Sequence, residues 1–220
     1  MGERPLAFRP EANVQTQAAL QLRKRPRQAR SRAMVDDLVE ATARVLVAEG
    51  YVATSTNRIA EVAGVSVGSL YQYFPGKDAL VMAVARRHFD QMTALLHHTA
   101  SGAVGRPADQ VVRDFVRGMI AAHAVEPALH RAITEQVLHL GLDVVDEVQA
   151  TARRIVRAWL EAQRDRILPR DLDHAAFLLV TVSEAAVHAA LLTCPERLQD
   201  PAFEAELADM LVRYLGAEAR

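Results

Sequence analysis

The stretch GYVATSTNRIAEVAGVSVGSLYQYFPGKDAL, residues 50–80, decides how this chain is read. Its backbone is broken at Gly50, at Gly64 and at Pro75-Gly76. Between the breaks apolar residues recur at intervals of three and four, the period of a helix. The spacing predicts one short helix from Thr56 to Ala63, with Ser55 or Thr56 able to cap its free amides, and another from Val67 to Tyr73 capped by Ser66. Ile59, Ala60, Ala63, Val65 and Leu70 have the spacing to pack these two helices together, and small Ala63 and Gly64 let the chain turn sharply between them. Upstream, a helix from about Arg30 to Glu49 carries a stripe of Val35, Leu38, Val39, Thr42, Val45 and Leu46 and ends at Gly50. Downstream, another starts near Lys77 and runs to about Thr99. Short helices joined by tight glycine turns are what a helix-turn-helix requires. One helix crosses the DNA backbone, and the next places its N-terminal side chains at the base edges of the major groove.

Working outward, the rest of the 220 residues also reads as helix. Strand signals are nearly absent, and five further helices are expected over about 108–124, 127–139, 142–164, 171–193 and 202–215. The expected class is all-α with about nine helices. The formal net charge of -1 hides an asymmetry. Residues 1–35 hold eight basic and two acidic side chains, and the remainder is correspondingly acidic. A basic end on an acidic body suits a chain that meets a polyanion at one end. Residues 1–22, which lack strong periodicity, read as a solvated, flexible tail. The run RKRPRQARSR, Arg23 to Arg32, reads as solvated surface or phosphate contact. The single cysteine, Cys194, rules out an internal disulfide and a paired-cysteine metal site. There is no uncharged apolar stretch of about 18 residues and no cleavable leader pattern, so a soluble cytoplasmic protein is expected.

At the next level of detail, residues 50–80 resemble the TetR/AcrR family of bacterial repressors. Gly50, Tyr51, Ser55, Thr56, Ile59, Ala60, Ala63, Gly64, Val65, Ser66, Gly68, Leu70, Tyr71, Tyr73, Phe74, Lys77 and Leu80 all stand where the family pattern has them, and Asp78 stands where it often has glutamate. The resemblance implies a division of the chain: a basic arm over 1–29, the DNA-binding domain over 30–80, and an effector-binding and dimerisation domain over 81–220. The hydroxyls of Thr56 and Tyr73 suit phosphate oxygens. Lys77 opens a helix, where free amides already favour an anion. Arg32 is a further candidate for phosphate. Val67, Gly68, Ser69 and Tyr71 occupy the family's usual base-facing positions. Gly68 lets the backbone come close, Val67 suits a thymine methyl, and Ser69 specifies weakly. No Arg, Asn or Gln lies in the first turn of that helix, so Asn57, Arg58 or the basic arm must supply stronger base readout.

The resemblance also implies a small-molecule effector and a homodimer on a double-stranded DNA operator, with repression the usual outcome and activation the alternative. Phe89, Met92, Phe115, Met119, His123, Trp159 and Phe177 are candidates to line the effector pocket, because methionine and aromatic side chains adapt to varied apolar ligands. Val180, Ser183, Val187, Ala190 and Leu191 on one late helix, and Phe203, Leu207, Met210, Leu211 and Tyr214 on the last, are candidates for the dimer seam, with core packing within one chain as the alternative. No cofactor is expected. No metal site is expected either, since His97 and His98 are adjacent and no HExxH or paired Cys/His spacing occurs. No phosphate loop or GxSxG elbow is visible, so the chain is not expected to be an enzyme. A helical adaptor that binds no DNA would leave both the basic arm and the motif unexplained.

Overall fold

The structure, a computed structural model, describes residues 22–23, 28–103, 105–140 and 143–216. The flexible arm expected over 1–29 falls almost wholly outside the described residues. Among those described there are nine α-helices: α1 Ala29–Ala53, α2 Thr56–Ala63, α3 Val67–Tyr73, α4 Lys77–Ser101, α5 Ala108–Val125, α6 Pro127–Leu140, α7 Asp143–Ala162, α8 Leu172–Thr193 and α9 Pro201–Leu215. Two short 3-10 turns, Arg164–Arg166 and Pro195–Gln199, lie before and after α8. The chain divides into two units, 1–84 and 85–220.

In the first unit, local chemistry fixes the breaks. Gly50 has φ 74° and ψ 169°, a backbone region essentially reserved for glycine, so the regular part of α1 ends there and one further turn follows. Ser55, not Thr56, caps α2: its side chain accepts from the Arg58 N–H at 3.2 Å, which leaves the Thr56 hydroxyl free for other partners. Gly64 then takes the left-handed conformation, φ 68° and ψ 29°. The Val65 N–H reaches the Ala60 carbonyl at 3.0 Å and the Gly64 N–H reaches Glu61 at 3.1 Å, the paired bonds of a Schellman stop. Two residues later Ser66 caps α3 by accepting from the Ser69 N–H. Leu38, Leu46, Ile59, Leu70, Phe74 and Leu80 are fully buried in this unit.

In the second unit α8 is the central helix, packed on α7 and α5, while α9 packs on α5. Its core gathers Val116, Leu160, Leu179, Val187, Leu191, Leu211 and Leu215 with their neighbours. Among the described residues α8 is the one helix long and apolar enough to cross a membrane, with a mean hydropathy of 1.8. The expectation of no such segment rested on charge, and by length and composition alone α8 meets the requirement. Its place in this core accounts for the apolarity: Leu172, Ala175, Leu179, Val180, Ser183, Val187, Ala190 and Leu191 are all buried within the single chain.

That burial corrects part of the expected dimer seam. Val180, Ser183, Val187, Ala190 and Leu191 of α8, and Leu207 and Leu211 of α9, face the chain's own core and have no surface to offer a partner. Phe203 packs partly against the same core. Met210 and Tyr214 are exposed at 46% and 38%. On α8 the exposed large apolar residues are Phe177, Leu178 and Leu192, which periodicity alone could not separate from the buried ones because apolar residues occupy nearly every side of this helix.

Candidate DNA-binding face, effector cavity and histidine cluster

The sequence-named DNA-facing residues lie on α2, α3 and their flanks, and several are joined. The hydroxyls of Thr56 and Tyr71, 15 positions apart, meet at 3.2 Å on the exposed side of the first unit. Tyr71 is exposed, Thr56 and Tyr73 are half-buried, and Asn57, Gly68 and Arg32 are exposed. Val67 and Ser69 are half-buried. The Ser69 hydroxyl bonds the Ser66 hydroxyl at 2.8 Å, so it is already engaged in the cap of α3. At Gly68 an added Cβ would meet nothing closer than the Ser66 Oγ at 3.8 Å, an ordinary contact, and its φ is not left-handed. Nothing among the described residues demands a glycine there.

Two basic residues have local partners that the sequence did not reveal. The Arg58 guanidinium donates to Glu49 at 2.7 Å and to Glu61 at 3.0 Å. In the DNA-free protein Arg58, named from sequence as a source of base readout, is paired with these two carboxylates of its own unit through Nε and one terminal nitrogen, on the exposed surface. The Lys77 ammonium donates to the Tyr51 carbonyl at 3.1 Å and lies 4.2 Å from the centre of the Tyr51 ring. The Tyr51 hydroxyl donates to Asp78 at 2.7 Å. Burial, together with that carboxylate, pushes the Tyr51 phenol up to about 12. Lys77 thus ties the start of α4 to the last turn of α1, with N–H donors left over. Arg23 of the basic run donates its backbone N–H to the Tyr73 carbonyl at 2.8 Å and its guanidinium to the Tyr71 carbonyl at 3.3 Å, at the carbonyl end of α3.

In the second unit a cavity of about 670 Å³, counting its open mouth, lies between α4, α5, α7 and α8. Met92, Phe115, Met119 and His123 line it as expected from sequence, with Gln149 and Glu184 among its polar members. Trp159 lines a neighbouring apolar space of about 460 Å³ that shares Leu96, Thr99 and Phe115 with the first. Phe89 lines neither of these two spaces, and Phe177 is 47% exposed on the surface of its helix. Burial raises the Glu184 carboxyl above its usual range, against a 3.0 Å hydrogen bond from the Gln149 amide and the nearby Arg153.

His123 also belongs to a second feature. His88, His123, His130 and His188, from α4, α5, α6 and α8, stack and bond in one place. His88 Nε2 is 2.6 Å from His130 Nδ1, and His130 Nε2 is 2.8 Å from His188 Nε2. His123 Nδ1–H donates to the Met119 carbonyl at 2.7 Å, and its buried Nε2 has no hydrogen-bond partner among the described residues. Burial holds all four imidazoles below the usual histidine range, His123 at about 4, with mutual repulsion adding to the effect at His88, His123 and His130. No local spacing announces this group: the partners are 42 and 58 positions apart in the chain. Glu184 was missed for a related reason, though a lone acid amid AAFLLVTVSEAAVHAALL was a usable signal.

Comparison with known proteins agrees with the motif and with the fold. Residues 38–84 match the family of bacterial regulatory proteins called tetR, and residues 107–215 match the tetracyclin repressor-like C-terminal domain. The HTH-type transcriptional repressor KstR of Mycolicibacterium smegmatis is 27% identical over 66% of this chain and 70% of its own length. Three other curated relatives are matched over 43% to 65% of their length. Among solved structures, a protein assigned to the TetR-family transcriptional regulators from Mesorhizobium loti superposes with a TM-score of 0.70 at 20% identity, covering 86% of this chain and 98% of that one. A SmeT–triclosan complex superposes with a TM-score of 0.62 at 22% identity, covering 82% and 90%. With a TetR-type helix-turn-helix in its first unit and a matching helical domain in its second, this chain belongs to the TetR family of DNA-binding transcriptional regulators, a family of regulators and not of enzymes.

Proposed function

We propose that this protein is a cytoplasmic repressor that binds its operator as a homodimer through α2 and α3 and leaves it when a small, mainly apolar effector fills the cavity around Met92, Phe115 and Met119. The observation that carries the DNA face is Gly68: an exposed glycine in the first turn of α3 that the protein's own packing does not require. A glycine is less stable than alanine in a helix, so its presence is explained by something outside the chain that comes close to the backbone. Tyr71, three residues on from Gly68 in α3, meets the Thr56 hydroxyl on the exposed side, and Tyr73, Asn57, Arg32 and Arg23 add polar groups on the same unit. Glu184 and Gln149 suit an effector with at least one polar group. That a solved relative carries triclosan supports an effector of modest size.

Gly68→Ala tests this directly. Stability of the protein is expected to hold or rise by up to about 1 kcal/mol. Affinity for the operator, measured by fluorescence anisotropy, is expected to fall by roughly tenfold or more, with little change in the salt slope, since no phosphate contact is removed. Undiminished operator affinity would remove the DNA face from this position. A wild-type protein with no sequence preference on any DNA would favour the alternative, a helical ligand-binding protein that does not bind an operator.

For the dimer, Met210 and Tyr214 of α9 stay from the seam expected in the sequence, and exposed Leu178 and Leu192 of α8 take the place of the buried residues. Leu192→Glu with Met210→Glu is expected to give a monomer by light scattering at micromolar concentration and to weaken operator binding, because charges in an apolar interface are left unpaired. A double variant that stays dimeric sinks this assignment.

A further inference from the structure

We propose that His123, His130 and His188 form a binding site for one divalent transition-metal ion of the zinc class. The inference reverses the expectation of no metal site, and it stands whether or not the protein represses transcription. One ring nitrogen from each of the three side chains lies within 4.8 Å of the other two. Three helices, α5, α6 and α8, deliver them to one place.

The hydrogen bonds prepare the rings as ligands. A carbonyl oxygen only accepts, so the 2.7 Å contact with Met119 requires the proton of His123 to sit on Nδ1. Nε2 then carries a lone pair, and that atom is buried with no partner among the described residues. An imidazole oriented by a carbonyl on one nitrogen and open on the other is the usual state of a metal-ligating histidine. His130 Nδ1 and His88 Nε2 stand 2.6 Å apart, a bond in which either ring can donate; in the tautomer where His130 Nδ1 donates, its Nε2 is a lone pair. That lone pair faces His188 Nε2 at 2.8 Å, a distance that needs a proton between the two nitrogens. A metal ion would take the lone pairs of His123 and His130 and, once the His188 proton has moved from Nε2 to Nδ1, that of His188 Nε2 as well. His88 thereby becomes the outer partner of His130, and no proton has to be expelled from a charged imidazolium.

Donor type and spacing select the metal. Three neutral imidazoles, with no carboxylate or thiolate in the group, suit Zn²⁺, Ni²⁺ or Cu²⁺ and not Mg²⁺ or Ca²⁺. At a Zn–N distance of about 2.0–2.1 Å, tetrahedral ligands stand about 3.3 Å apart. The closest pair is nearer than this and the group's outer limit is wider, so ring rotations of about an ångström would close the site. Three protein ligands leave a fourth position for water or for an atom of a bound molecule. His123 is common to the cluster and to the wall of the cavity, and Glu184, four residues before His188 on α8, also lines that wall, so a carboxylate is near to offset the charge.

The test uses the full-length protein, stripped with a chelator and titrated with Zn²⁺ at neutral pH against a competing chelator, with Co²⁺ as an optical probe. The wild type is expected to bind one Zn²⁺ per chain, to melt at a higher temperature with it, and to give with Co²⁺ the intense visible bands of a four-coordinate ion. His188→Gln and His130→Gln are expected to weaken binding by roughly 100-fold or more. The double variant His97→Gln, His98→Gln removes two exposed histidines and is expected to bind as the wild type does. Should His130→Gln fail to fold, His188→Gln, which replaces a less buried ring, carries the comparison, and the Co²⁺ spectrum needs no variant at all. A protein that binds no stoichiometric Zn²⁺, a pale octahedral Co²⁺ spectrum, or binding that survives in His188→Gln and disappears with His97 and His98 overturns the site.

Discussion

Phe74→Ala is expected to cost about 3–5 kcal/mol and to abolish operator binding. Phe74 is fully buried and follows the last residue of α3, and its N–H closes that helix on the Leu70 carbonyl at 3.0 Å. Its ring fills the first unit together with Leu38, Leu46, Ile59, Leu70 and Leu80. Removing it leaves a cavity beneath the helix that is proposed to enter the major groove. A small domain holds only about 5–15 kcal/mol in all, so a loss of this size leaves the unit marginal. The check is urea denaturation followed by circular dichroism, beside anisotropy with operator DNA. The single tryptophan, Trp159, lies in the second unit, so its fluorescence reports the other part of the chain. An earlier loss of helix signal with the Trp159 transition in place is the expected pattern. Wild-type stability and operator affinity in Phe74→Ala would contradict this account of the first unit's core.

Acid is expected to destabilise the second unit steeply. His123 has a folded pKa of about 4, below the ordinary 6.5, because burial disfavours its charged form. Above pH 6.5 folded and unfolded chains both hold the ring neutral, and its contribution to stability is complete. Between pH 6.5 and about 4 the unfolded chain takes up a proton that the folded chain refuses. Stability then falls by about 1.4 kcal/mol per pH unit for each such ring. Below about pH 4 the folded ring takes up its proton too, and the loss from this group stops. For His123 alone the loss totals about 3 kcal/mol. His88, His130 and His188 are shifted the same way, which makes the combined slope steeper. The measurement is the urea midpoint of metal-free protein, read from Trp159, at pH 7, 6 and 5. The midpoint is expected to drop at each step, and less steeply in His188→Gln. A midpoint that does not move between pH 7 and pH 5 would rule out a neutral, buried cluster.

Most helix boundaries were legible because the signals that set them act within one turn of the chain. The stop at Gly64 needs only a left-handed glycine and two carbonyls three to five residues back. The start of α3 needs only the Ser66 hydroxyl and the amide three residues on. The core residues of the first unit were legible too, since α1 is an amphipathic helix with one apolar stripe. On α8 the same reading failed. Apolar residues cover almost all its sides, so period says nothing about which side faces inward, and it could not choose for Val187 between a dimer seam and the chain's own core, where it is buried.

The sequence by itself determined the all-helical class, the two-helix reading head and the family, because caps, glycine torsions and helical period are properties of neighbouring residues. Only the tertiary structure decided that Arg58 is held by Glu49 and Glu61, that Phe177 faces outward while Met92 and Met119 meet in a cavity, and that four histidines converge. Each of these depends on how helices distant in the chain are placed against one another. A side chain's partners are set by that placement, and the periodicity of its own helix records only the direction in which it leaves the backbone.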